Sequence, residues 1–243
     1  MPRDPGLGME VDTFTVVARC NKTNALGICL ATSPLAVASR CPHIIGGLAA
    51  VSSQCHTNPR LGILALDLIK HGFSPEQAIG AISQLDQWFE YRQIGIVTQM
   101  GGVAVHSGKY GKPYTGHLTG EGFVCMGNGL AGRNVLEAMA TAYRASADEA
   151  FEERLVRTIE AGRDAGGQPK GQLSAGLLVA EPGMRPRTDL RVDMAKPTPQ
   201  EGGDAVTDLR RVFDAYKRLI TYYASFWPDH PQIDREEWLR RNP

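Results

Sequence analysis

A threonine hydroxyl attacks an acyl carbon at neutral pH only when a base beside it takes its proton. The run Thr13-Phe14-Thr15-Val16-Val17-Ala18-Arg19 suggests one source of that base. If Thr13 opened the chain, its own α-amine would stand next to its hydroxyl, the arrangement used by amine-terminated threonine nucleophiles. Twelve residues precede it, so this chemistry requires cleavage between Asp12 and Thr13. An oxyanion also needs donors. Gly127-Asn128-Gly129 supplies a backbone N–H and an amide side chain, and it reads equally as a plain turn, because Asn tolerates a left-handed backbone.

Other polar residues compete for roles. Gln54, Thr57 and Asn58 cluster at a strand-to-helix junction, where Asn58 can also be explained as a helix cap alone. His106 and Ser107 end a strand beside a glycine and suit the lining of a cleft, while a lone His is more often structural. Cys41-x-His43 and Cys55-His56 with His117 invite a zinc reading, but they lack finger spacing and an adjacent carboxylate, so no metal and no cofactor are expected. A Cys55 thiol paired with His106 or His117 is a conceivable nucleophile and a third, weaker idea, since Cys among apolar neighbours is usually an inert small hydrophobe.

The elements that must hold these groups follow from periodicity. Thr13, Thr15, Val17 and Arg19 share one strand face, while Phe14, Val16 and Ala18 share the other; one face reads as buried, the other as mixed. Asn21 to Asn24 is turn-like and Leu26 to Ala31 is a second strand. An antiparallel hairpin therefore sets Thr13 opposite Thr32 and Arg19 near Leu26. Thr32 and Ser33 become neighbours of Thr13, whereas Arg19 lies roughly 20 Å away along the strand and is structural.

Leu35 to Ser39 and Gly47 to Gln54 read as a further strand pair. Asn58-Pro59 then opens a helix with an apolar stripe through Leu61, Leu64, Ala65, Leu68 and Ile69, and Ser74 to Gln77 opens a second. Arg92 to Gln99 and Val103 to His106 form a hairpin across Gly101-Gly102, Lys109 to Gly122 reads as loop, and Phe123 to Met126 as a short strand. Two more helices follow, one on Val135, Met139 and Tyr143, the other opening at Asp148 and ending at Gly162. Ser174 to Glu181 and Asp189 to Val192 are the last strands. Lys196 to Gly203 is a linker into a helix on Leu209 to Ile220, and Trp227 to Pro243 is a polar tail. Strand runs interleaved with helix pairs describe an α+β fold with helices outside two stacked, mostly antiparallel sheets. The organisation expected is a leader over 1–12, a domain over 13–195, and a C-terminal segment over 196–243 packing on that domain.

With 42% apolar residues in 243, the chain can bury a substantial core, and 26 basic against 26 acidic residues give no field that favours nucleic acid. No apolar run approaches the roughly 20 residues of a membrane span, and no signal pattern opens the chain, so a cytoplasmic protein is expected. Five cysteines, an odd number without Cys-x-x-Cys, argue against a disulfide framework. No Gly-x-Gly-x-x-Gly follows a strand and no phosphate loop occurs, which argues against nucleotide chemistry.

Taken together, Thr13 to Arg19, Thr57-Asn58-Pro59-Arg60, Arg92-Gln93-Ile94-Gly95, Gly116-His117, Gly120-Glu121-Gly122-Phe123, Gly127-Asn128, Ala131-Gly132 and Leu190-Arg191-Val192-Asp193 resemble the domain of unknown function 1028 family over about 13–193. The resemblance implies a four-layer α-β-β-α sandwich of the N-terminal-nucleophile (Ntn) hydrolase kind, with Thr13 as candidate nucleophile. Typical members carry that Thr directly after the initiator Met, and they carry Asp, Gln and Gln where this chain has Cys20, Met126 and Leu173. The function expected is cleavage of an amide-type C–N bond in a small molecule, with Thr13 and Asn128 catalytic and Thr32, Ser33, Gln54, Asn58 and His106 contacting substrate. The alternative is a non-catalytic small-molecule binding or assembly module that keeps its leader. Partners expected are a small-molecule substrate and, by analogy from the paired helices, a second copy in a homodimer; no nucleic acid and no membrane are expected.

Overall fold

The computed structural model describes residues 7, 9–183, 186–195, 203–225 and 233–242. Two antiparallel sheets carry the fold. One has five strands: β1 (Met9–Val11), β4 (Pro42–Ile45), β5 (Ala49–Thr57), β6 (Arg92–Thr98) and β7 (Val103–Ser107), in the order β1-β5-β6-β7 with β4 also on β5. The other has six: β2 (Thr13–Arg19), β3 (Leu26–Thr32), β8 (Gly116–Gly120), β9 (Phe123–Gly127), β10 (Ser174–Ala180) and β11 (Thr188–Val192), in the order β11-β10-β3-β2-β9-β8.

Helices α1 (Pro59–Lys70) and α2 (Pro75–Leu85) contact the first sheet, while α3 (Arg133–Ala145) and α4 (Phe151–Asp164) contact the second. The starts of α1 and α2 are written locally. The Asn58 side chain accepts from the Arg60 amide ahead of Pro59, and Ser74 with Gln77 makes a reciprocal capping box. Helix α5 (Ala205–Tyr216) seats Val206, Leu209 and Phe213 in the same apolar cluster as Phe14, Val16 and Leu155, and contacts β10 and β11.

Because the sheets also contact each other, β2, β3 and β6 are buried along almost their whole length. That is why β2 presents an apolar residue on both faces and no charge before Arg19. Phe14, Val16 and Ala18 pack toward the α3 and α4 side, and Val17 packs toward the other sheet with Ile28, Leu30, Val97 and Met126. Both faces are therefore buried, where the pattern alone suggested one buried and one mixed. The hairpin register agrees with the index sum: Thr13 opposes Thr32 and Arg19 opposes Leu26.

Other expectations change. Within Leu35 to Ser39 there is a 3-10 turn at Val37–Ser39, entered through Ala36 at φ 52°, and the strand comes later, as β4. The loop expected over Lys109 to Gly122 contains β8, whose glycines and polar residues carry no strand-like alternation. Helix α4 begins at Phe151 rather than Asp148. The last long helix is interrupted after Tyr216 by a 3-10 turn and continues as α6 (Ile220–Ser225), and the tail contains α7 (Arg235–Arg241), capped by Asp234. The linker over 196–202 and the tail residues 226–232 lie outside the described residues. The end of the leader, where the sequence suggested no element, pairs as β1 with Cys55, His56 and Thr57 of β5. The period of a three-residue strand is too short to read from sequence.

Among the described residues, no helix is long and apolar enough to cross a membrane.

Candidate active site

Side chains with index parity that turns them between the sheets form an apolar layer along most of the interface, from Val17 and Ile28 to Leu30 and Met126. At the end where β2 begins, the same parity delivers Thr13 and Thr15, Thr32, Ser52 and Gln54, Gln93 and Asn128, all buried. These side chains form a connected network. Gln54 Oε1 accepts from Thr15 Oγ1 at 2.6 Å and Ser52 Oγ at 3.1 Å, while Gln54 Nε2 donates to Gln93 Oε1 at 2.8 Å and to the Thr13 carbonyl at 3.3 Å. Gln93 Nε2 donates to Ser107 Oγ at 2.8 Å and to the carbonyls of Gly116 and Gly127 at 2.9 and 3.0 Å, which ties the two sheets together. Buried polar groups require this satisfaction, since each one left unpaired costs about 1–3 kcal/mol.

Thr13 Oγ1 lies 3.1 Å from Thr32 Oγ1 and 3.3 Å from the Val11 carbonyl. The Asp12 carbonyl, one bond before Thr13, accepts from Thr32 Oγ1 and from the Ser33 amide at 3.3 Å. Asn128 aims its donors at Thr13 itself: its amide reaches the Thr13 carbonyl at 2.9 Å, and its Nδ2 reaches that carbonyl at 3.5 Å and Gln93 Oε1 at 3.3 Å. Two buried oxygens here, Ser33 Oγ and Asn128 Oδ1, make no hydrogen bond among the described residues.

The leader crosses from one sheet to the other at Asp12 and covers Thr13, which has no exposed surface. Arg92 grips it. This fully buried guanidinium donates to Asp86 at 2.7 Å and to the carbonyls of His56 at 2.6 Å and Leu7 at 2.5 Å.

The expected site residues Thr13, Thr32, Ser33, Gln54 and Asn128 thus converge. Two do not. Asn58 caps α1, about 13 Å along β5 from Gln54. His106 stacks on Phe89 at 3.8 Å with Nε2 3.1 Å from the Phe89 carbonyl, so parity turns Ser107 rather than His106 toward Gln93. Burial pushes the His106 imidazole below its ordinary value, and burial followed by the nearby His106 does the same to His117, whose Nδ1 lies 2.9 Å from Ser107 Oγ. Gln93 and Thr15 enter the network without having been assigned roles, and Ser107, expected with His106 as cleft lining, enters it alone of that pair. For Gln93 and Ser107 the signal was a lone polar residue at the inward parity of an otherwise apolar strand, while Thr15 shares its face with Thr13.

The thiols are embedded in the core. Burial pushes Cys41 up to about 11 and Cys29 and Cys125 higher still. Met126 opposes Thr15 across β2 and β9, and a side chain on Gly95 would meet its sulfur, so it serves as inter-sheet packing. Cys20 follows the opposite end of β2 from Thr13. Leu173 donates its amide to the Thr32 carbonyl at 2.8 Å.

A family model described as "Family of unknown function (DUF1028)" matches residues 13–202. The chain belongs to the DUF1028 family. The match begins at Thr13, the residue at which the chain passes into the six-stranded sheet. The crystal structure of protein SPO2555 from Silicibacter pomeroyi, also of the DUF1028 family, is similar with a TM-score of 0.77 and 28% identity, covering 85% of this chain and 86% of that one. Anbu (ancestral beta-subunit) from Yersinia bercovieri aligns with a TM-score of 0.37 and 8% identity over 90% of this chain and 100% of that one. None of the curated proteins matches this DUF1028 chain.

Proposed function

We propose that this DUF1028 protein is an Ntn-type amidohydrolase on a four-layer α-β-β-α sandwich, with Thr13 as nucleophile once the leader is cut between Asp12 and Thr13. The observation that carries the reading is the pairing of a strand-initial hydroxyl with a carbonyl at its side that already has two donors: Thr32 Oγ1 and the Ser33 amide on the Asp12 carbonyl, and Thr13 Oγ1 3.1 Å from Thr32 Oγ1.

With the leader gone, the free α-amine of Thr13 takes the proton from Oγ1, and the oxygen attacks the carbonyl carbon of a small-molecule amide. The oxyanion is held by donors at this strand end, the C–N bond breaks, and the amine leaves with the proton. Water then attacks the Thr13 ester and releases the acid. Gln54 and Gln93 position Thr13 through its carbonyl and through Asn128.

A second reading, a binding or assembly module that keeps its leader, is favoured by a different observation. The leader is a paired strand held by a buried arginine, and it seals Thr13 from solvent. Intact mass of protein purified without a leader-side tag separates the two. The hydrolase reading expects a chain beginning at Thr13 and turnover that Thr13→Ala abolishes. A full-length chain that still hydrolyses amides overturns it.

A further inference from the structure

The leader's last residue fills a shaped space. Its carboxylate is largely buried, with Oδ1 3.3 Å from Lys112 Nζ and Oδ2 4.0 Å from Lys170 Nζ; the two lysines come from separate loops. The floor is Gly129, at φ 61°, where a Cβ would stand 2.6 Å from Asp12 Cγ. Gly129 is thus fixed twice, by its left-handed backbone and by the carboxylate pressed on it. At the other end of the residue, the Asp12 carbonyl accepts from Thr32 and Ser33. Covalent geometry keeps that carbonyl beside the Thr13 side chain.

Asp12 therefore shows how an acyl group is accommodated next to Thr13: the carbonyl on two donors, then two carbons, then a carboxylate between two lysines. Polar capacity is left over in the segments that hold it. Ser33 Oγ and Asn128 Oδ1 are buried without a partner among the described residues, and so are both amide atoms of Gln168, in the loop that carries Lys170. A leader that only covered the strand end would call for neither the paired cations nor the unspent donors and acceptors.

We infer that the space held by the Asp12 side chain is a subsite for a carboxylate on the acyl part of the substrate, and that the amide cleaved is a half-amide of a four-carbon dicarboxylic acid. The substrate class rests on the reading of Thr13 as nucleophile; the carboxylate subsite does not. Hydrolysis adds one water across the C–N bond and gives the dicarboxylate and the free amine, with no other reactant.

The test begins with full-length protein. Asp12→Ala empties the subsite, and its Tm is expected to rise with added acetate but not with chloride at equal ionic strength. Adding Lys112→Met to that variant is expected to abolish the response, and wild type should not respond. No acetate-specific gain, or an equal gain without Lys112, overturns the subsite. Should Asp12→Ala not fold, Asp12→Asn keeps the shape: Lys112→Met is then expected to lower Tm in wild type and not in Asp12→Asn, and equal losses overturn the proposal. On protein purified with Thr13 first, succinamate is expected to exceed butyramide in kcat/KM by about tenfold or more, the size of one charge-assisted hydrogen bond, and Lys112→Met to collapse that ratio. Equal hydrolysis of both amides overturns the substrate class and leaves the nucleophile standing. Acetate rescue with no turnover of either amide supports the subsite and overturns the substrate class, whereas succinamate turnover that survives Thr13→Ala overturns the nucleophile.

Discussion

Thr32 touches both sides of the bond that separates leader from domain: its hydroxyl donates to the Asp12 carbonyl and lies 3.1 Å from the Thr13 hydroxyl. Replacing it with Val keeps the shape and removes that donor. Thr32→Val is expected to lose about 1–3 kcal/mol of stability by leaving the buried Asp12 carbonyl short of a partner. Turnover by protein that begins at Thr13 is expected to fall about 100-fold or more, as for an oxyanion donor. Thr32→Ser keeps the hydroxyl and should recover most of both, as read by urea denaturation and initial rates.

Gln54 is the hub between the sheets. Its amide holds Thr15, Ser52, Gln93 and the Thr13 carbonyl. Gln54→Met is similar in volume but strands those partners, and a loss of about 1–3 kcal/mol is expected, with a shorter linear range in denaturant as the inter-sheet end loosens. A Gln54→Met chain as stable as wild type would show that the network adds nothing net.

Gly62 lies inside α1, where Ala normally gains about 1 kcal/mol over Gly. A Cβ there would stand 2.1 Å from Cδ2 of His43, the side chain of β4 that packs under the helix. Gly62→Ala is therefore expected to destabilise the protein by about 1–3 kcal/mol against the helix propensity. His43→Ala in the same chain should restore the ordinary gain, which a double-mutant cycle in thermal unfolding would read.

Burial lowers the imidazoles of His43, His106 and His117 below their ordinary 6.5. With the folded value depressed, the unfolded chain binds more protons than the folded one once pH drops below about 6.5. Stability is then complete above that pH and falls as the solution is acidified toward the folded values. Tm is expected to be flat from pH 8 to 7 and to decline from 6.5 to 5.5, with a smaller decline in His43→Gln. A Tm that rises over that interval would contradict the assigned direction.

Much of the sheet layout was legible because it is a matter of period and turn chemistry. The β2–β3 register followed from one turn and an index sum, and the α1 and α2 starts from Asn58-Pro59 and Ser74-Pro75. Less was legible where a segment is too short or too polar to show a period, as in β1, β4 and β8. His106 shows the limit of proximity in sequence. One residue from Ser107, it faces the opposite side of the sheet because strand side chains alternate.

The sequence by itself determined which strand begins with a hydroxyl, which residue lies across from it and where the helices start, since these rest on interactions within a few residues or across one turn. Only the tertiary structure decided that Gln54 and Gln93 meet, that Asp12 lies between Lys112 and Lys170, and that the leader seals Thr13. Those contacts join positions tens of residues apart. Their partners are chosen by how two sheets stack and how loops close over the end, and no local pattern encodes that choice.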